Sequence, residues 1–201
     1  MYELVEKKYI ISTNHRAIVA IADNSEDLAY NAVVFDNVRP RNYDLFLFKQ
    51  QDIPKSHKKI KKSIGYLQPK ELLQNLIDQG YSELILSARG FNTIVVAILA
   101  NEFKGYIKAC ILNTPSFMLG DKEYFQNITC PILFIHDEEN KTTSLSVNKT
   151  LFSKIKSENK KLVLLNASGF STSSKFYHQE NLIGHLSRFI LEDLPKQKTK
   201  A

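Results

Sequence analysis

Tryptophan is absent from the 201 residues, and cysteine is nearly so, with two. Two cysteines cannot build a disulfide scaffold, and nothing in the chain resembles a Cys/His metal cluster. Cys110 sits inside an apolar run and Cys130 directly precedes Pro131 at the start of another. Both read as buried free thiols. No stretch approaches the roughly 20 consecutive apolar residues that span a bilayer. The opening MYELVEKKYI carries three charges in its first seven residues and no apolar segment, so it does not read as a secretory signal. The expectation is a cytoplasmic protein, and the sequons at Asn127, Asn140, Asn148 and Asn166 then carry no weight. Linkers and internal repeats are missing too. No cofactor or metal is expected.

What is present suits one soluble domain: 43% hydrophobic and 24% charged residues in a length that can bury a substantial core. The net charge of +6 is unevenly spread. Lys55, Lys58, Lys59, Lys61 and Lys62 crowd one segment around His57, and Lys196, Lys198 and Lys200 mark a basic tail. The first run has no interleaved aromatics and no accompanying nucleic-acid motif, so it reads as a solvated face, with no nucleic acid expected as partner. The sequence thus divides into a domain over 1–194 and a tail over 195–201.

Apolar runs alternate with helical patterns along the chain. Ala17–Ala22 is a short apolar run ending in Asp-Asn-Ser; Leu28 to Val38 has helical spacing; Tyr43–Phe48 reads as a strand. From Pro69 to Gly80 the pattern predicts a helix opened by proline and closed by glycine. Strands follow at 83–87, 107–112, 132–136 and 161–165, and helices at 93–100, 144–157 and 179–192. Strands this apolar, alternating with amphipathic helices, predict a doubly wound, mostly parallel α/β sheet covered on both faces. Residues 2–12 are expected to add an edge hairpin.

Three segments carry a resemblance. Leu84-Ile-Leu-Ser-Ala-Arg-Gly-Phe-Asn-Thr-Ile-Val-Val-Ala resembles the strand, sharp turn and buried helix around the nucleophile of α/β hydrolases, whose turn is Gly-x-Ser-x-Gly. Thr129-Cys-Pro-Ile-Leu-Phe-Ile-His-Asp-Glu-Glu-Asn-Lys is similar to the late strand that delivers the acidic triad member. Leu162-Val-Leu-Leu-Asn-Ala-Ser-Gly-Phe is similar to the strand and loop that deliver the catalytic histidine. The resemblance spans about residues 17–191 and implies the α/β-hydrolase fold. The short connection from Asn113 to Pro131 leaves no room for a large cap.

Carried over residue by residue, the resemblance puts Arg89 at the nucleophile position, Asn140 at the acid and Phe170 at the histidine. None can do the family's chemistry. A guanidinium does not deprotonate, a phenyl ring accepts no proton, and an amide has no charge to steady an imidazolium. Asp23 stands where an oxyanion turn is expected and would repel a developing oxyanion. A rescue would use Ser87 as nucleophile with His136 or His178 as base. Arg89 at a turn near a helix N-terminus favours an anion, either a carboxylate or phosphate ligand or an internal partner among Asp23, Asp137, Glu138 and Glu139. Phe91 and Phe170 would fill the emptied cavity.

The expected function is therefore binding of a protein or a small anionic ligand by a hydrolase-like chain without hydrolytic activity. The alternative is an active serine hydrolase (esterase, lipase or thioesterase-like) using displaced residues such as Ser87. A third reading docks anionic partners through Lys55–Lys62. The sequence names neither ligand nor oligomeric state.

Overall fold

The computed structural model describes residues 15–22, 25–40, 42–49, 57–117, 119–137, 143–165 and 181–197. Six strands, β1 (Arg16–Ala22), β2 (Asp44–Lys49), β3 (Glu83–Arg89), β4 (Ile107–Asn113), β5 (Ile132–Asp137) and β6 (Lys160–Leu165), form one sheet in the order β2-β1-β3-β4-β5-β6. Every pairing is parallel. The two-residue period sorts each strand between two cores. Ala17, Val19 and Ile21 face one core with Leu84, Leu86, Cys110 and Phe134. Ile18, Ala20 and Ala22 face the other with Ile85, Ile111, Leu133 and Ile135. A register shift between Leu84 and Ile85 lets Lys108 bulge from β4, so Ile107 and Cys110 both reach the first core.

The first core is covered by α2 (Ile64–Asp78), α3 (Asn92–Glu102), α4 (Lys122–Gln126) and α5 (Leu145–Lys154). The second is covered by α1 (Ser25–Val38) and by α6, which runs over residues 181–197. α3 is buried from Asn92 through Ala100, which is why Thr93–Ala100 reads as an apolar run without an amphipathic stripe. The Ser144 hydroxyl accepts from the Val147 N–H and caps α5.

The helix predicted from Pro69 begins earlier, at Ile64, so Pro69 stands in its interior rather than at its opening. The missing proline donor removes one intrahelical bond, while buried Gly65 and Tyr66 anchor the added turn. The predicted end holds. Gly80 has φ +92°, its N–H bonds the Ile77 carbonyl at 2.9 Å, and the Tyr81 N–H bonds the Leu76 carbonyl at 3.0 Å, a Schellman closure. α6 passes through a π-helical stretch, Arg188–Asp193, just before Pro195, and the Leu194 N–H reaches back five residues to the Phe189 carbonyl. The widened turn makes room for the proline ring one residue later. Helix continues through Gln197, past the point where a tail was expected to begin. The 3-10 turn His57–Lys62 and α4 were not predicted. The hairpin expected at 2–12 lies outside the described residues.

Candidate functional site

In this strand order β1 has β2 on one side and β3 on the other, so the chain reverses its direction of winding between β1 and β3. Open parallel sheets bind ligands beyond the carboxyl ends of their strands at such a point. Ala22 and Arg89 end the two strands there.

Arg89 still belongs to β3, and the backbone reverses one residue later. Gly90 has φ +60°, in the left-handed region, and Phe91 already has helical dihedrals at the start of α3. The Gly90 N–H bonds the Asn113 carbonyl at 3.0 Å. The Gly90 carbonyl accepts from the Ser116 N–H at 3.1 Å and from the Thr93 hydroxyl at 2.6 Å. The tip of the strand-to-helix turn is thus glycine, not arginine. Glycine adopts this φ without steric cost, and the Arg-Gly pair in the sequence was the signal that could have located the tip.

Over the turn lies the segment after β4, with Thr114 and Ser116 buried and Thr114 itself at φ +46°. Its N–H bonds the Ile135 carbonyl at 2.7 Å, and its hydroxyl accepts from the Asp137 N–H at 3.3 Å. Thr143 donates to the Ser116 hydroxyl at 3.1 Å. The segment is therefore tied to β3, to β5 and to the chain leading into α5. Among the described residues no cap domain rises from it.

Ser87 and Arg89 project from the α1/α6 face of β3. There they line a narrow cleft of about 20 Å³, room for about one water, with Val34, Phe35, Ile111 and Leu186 in its walls. The Arg89 guanidinium is half exposed, and Asp27 Oδ1 lies 3.8 Å away. Asp27, in the first turn of α1, is thus the carboxylate found beside Arg89. Of the partners expected from sequence, Asp23, Glu138 and Glu139 lie outside the described residues. An exposed pair at this distance contributes little, of order 0–1 kcal/mol. Burial pushes the Tyr30 hydroxyl above its ordinary value, with Arg89 pulling it down and Asp27 raising it. Asp27, Tyr30 and Asn31 were not singled out in the sequence. They stand on α1, whose place over β3 follows only from the strand order.

Ser87 is 6% exposed. The proposed base, His136, is completely buried and faces the opposite core. It alternates with Ile135, which shares the α1/α6 core, and its Nδ1 accepts from Asn148 Nδ2 of α5 at 2.9 Å. That bond leaves the proton of a neutral ring on Nε2. Asn148 also donates to the Pro115 carbonyl at 3.2 Å. His136 therefore anchors α5 and the post-β4 segment, and the sheet separates it from Ser87. The alternative base His178, and the acid and histidine positions Asn140 and Phe170, lie outside the described residues. Phe91 packs half-buried on the first core. In the lysine run, Ile60 is buried while Lys59, Lys61 and Lys62 are exposed, as a solvated face requires.

No protein-family model and no curated protein sequence matches this chain. Solved structures do match along nearly its whole length. Est1E from Butyrivibrio proteoclasticus is similar with a TM-score of 0.69 at 12% identity over 92% of each chain. A hydrolase from Oleispira antarctica gives 0.67 at 10% identity, covering 94% of this chain and 97% of its own. An alpha-beta serine hydrolase homologue from Coxiella burnetii gives 0.66 at 12% identity, covering 90% and 87%. Strand order, two-sided helix packing and these likenesses agree, and the chain has the α/β-hydrolase fold.

Proposed function

We propose that this chain is a non-hydrolytic protein built on the α/β-hydrolase fold, and that it binds a small ligand at the mouth of the cleft between β3, α1 and α6. The observation that carries the reading is the strand-to-helix turn. The fold exposes its nucleophile at that turn, and here the tip is Gly90, flanked by Arg89 and Phe91. None of the three has a hydroxyl or thiol. The serine below them is nearly covered and lies across the sheet from His136. Asn140 and Phe170, at the positions that the resemblance gives to acid and histidine, support the same reading.

The cleft is too small for an apolar ligand body, so the site suits a small anionic group, such as a carboxylate, held at its mouth. Its walls are apolar, and its mouth carries Arg89, whose guanidinium offers five donors and, among the described residues, makes a weak pair with Asp27. Among the described residues no helix is long and apolar enough to cross a membrane.

Labelling with a fluorophosphonate serine probe tests the loss of hydrolysis. No labelling of the folded protein is expected, before or after Ser87→Ala. Labelling that disappears in Ser87→Ala would establish instead the hydrolase of displaced residues. Binding is tested by thermal shift with a series of small carboxylates. Stabilisation that is lost in Arg89→Ala is expected, and equal stabilisation of both proteins would overturn the role of Arg89.

A further inference from the structure

The chain's two cysteines, separated by 20 positions in sequence, meet in space where β4 and β5 run side by side. Cys110 lies within β4 and is completely buried. Cys130 lies just ahead of β5 and is half-buried. The Cys110 N–H bonds the carbonyl of Pro131 at 2.9 Å, which fixes the two backbones side by side. Their Sγ atoms stand 3.6 Å apart, in thiol hydrogen-bond contact.

We propose that Cys110 and Cys130 are a reversible thiol–disulfide pair, with Cys130 oxidised first by a small hydroperoxide and Cys110 resolving it. The partly buried Cys130 is the more exposed of the two cysteines. Its sulfur attacks the hydroperoxide, the O–O bond breaks, and the products are a sulfenic acid on Cys130 and an alcohol, or water when the oxidant is hydrogen peroxide. The Cys110 sulfur then attacks the Cys130 sulfur, the S–O bond breaks, and one water leaves carrying the thiol proton. Two thiols have lost two electrons in all, and the hydroperoxide has gained them. The bond with Cys130 and complete burial hold the Cys110 thiol well above its ordinary range. That keeps Cys110 protonated until the sulfenic acid is beside it.

A disulfide requires the sulfurs at about 2.05 Å, so the gap must close by about 1.5 Å. Cys130 can supply that movement, because it precedes the first β5 residue and is not itself held in the sheet ladder. Closure would staple the segment between the two cysteines, including Ser116, whose N–H holds the Gly90 carbonyl. Oxidation would thus stiffen the support of the turn beside the cleft.

The test treats the folded protein with hydrogen peroxide, then counts thiols under denaturing conditions and maps peptides without reduction. The expected result is loss of both thiols, a mass lower by two hydrogens, a peptide joining Cys110 to Cys130, and full recovery with dithiothreitol. In Cys110→Ala, oxidation should stop at a sulfenic acid on Cys130 that dimedone traps. Retention of both thiols would overturn the proposal. So would sulfinic acid on Cys130 with Cys110 still free, or a disulfide joining two molecules. If Cys110→Ala fails to fold, the peptide map of the unaltered protein decides alone.

Discussion

Ser87 and His136 stand on strands separated only by β4, yet they face opposite sides of the sheet. A strand's side chains alternate strictly, so no rotamer of either residue brings them together through the intervening backbone. A serine nucleophile at Ser87 would need its base from α1, α6 or the loops above them.

Ser87→Ala should therefore leave ester hydrolysis at the background level of the unaltered protein, with p-nitrophenyl acetate as reporter. Its effect on Tm should be small, because the serine carries no hydrophobic bulk. A drop in turnover to the rate of buffer alone would show that Ser87 reacts.

Gly90→Ser should not create an esterase, although it puts a hydroxyl at the turn. The φ of +60° is unfavourable for serine and should cost about 1–2 kcal/mol, read as a lower denaturation midpoint. Turnover appearing in this variant would mean that a working base and acid already surround the turn.

Gly80→Ala tests the closure of α2. Its φ of +92° strains any side chain, and an added Cβ would sit 3.2 Å from Nδ1 of the His15 ring. A loss of about 1–2 kcal/mol is expected from the backbone alone. Unchanged stability would show that the Schellman turn relaxes without cost.

Glu102 is held by three donors, the Tyr66 hydroxyl, Lys61 at 2.9 Å and Lys70 at 3.0 Å. Burial raises its carboxyl pKa, but those donors outweigh burial and leave it below its ordinary 4.5. The ionised form is favoured in the folded state, so its contribution is complete above 4.5 and fades as pH falls through the lowered value. Glu102→Gln should narrow the stability gap to the unaltered protein across that acid range. A gap that stays constant with pH would deny the charge a role.

The tyrosines set an alkaline limit. Burial, followed by the Glu83 charge, pushes the Tyr43 hydroxyl up to about 12, and Tyr66 and Tyr81 are raised further, by burial and by bonds to Glu102 and Asp44. A raised folded value means stability present below 10 and lost as pH rises through the folded value. Ultraviolet titration should show these three rings ionising late, together with unfolding. Ordinary titration of all nine tyrosines would contradict the buried contacts.

Local signals in the sequence were strong where one element decided the outcome. The apolar runs located all six strands, five of them largely covered on both faces and β6 exposing Leu164 at the sheet edge, and Gly80 ended its helix by its own dihedral. Where two elements had to meet, the sequence was silent. Pro69 looked like a helix start because the buried positions of Gly65 and Tyr66 depend on packing against the sheet. α4, at five residues, is too short for a periodic pattern. Asp27 became the neighbour of Arg89 only once α1 lay over β3. Arg89 and Gly90 are neighbours in the sequence, and only the backbone dihedral shows that Gly90 takes the left-handed tip of the turn.

The strand order has a consequence for how the chain assembles as it leaves the ribosome. β2 can pair with β1 once residue 49 has emerged, but the inner edge of β1 stays open until residues 83–89 follow. From there each new strand adds to a single growing edge, β4 on β3, β5 on β4 and β6 on β5. The sheet is built outward in one direction, and the interval between β2 and β3 is when a nascent chain most exposes an apolar edge to a chaperone or to a neighbouring copy.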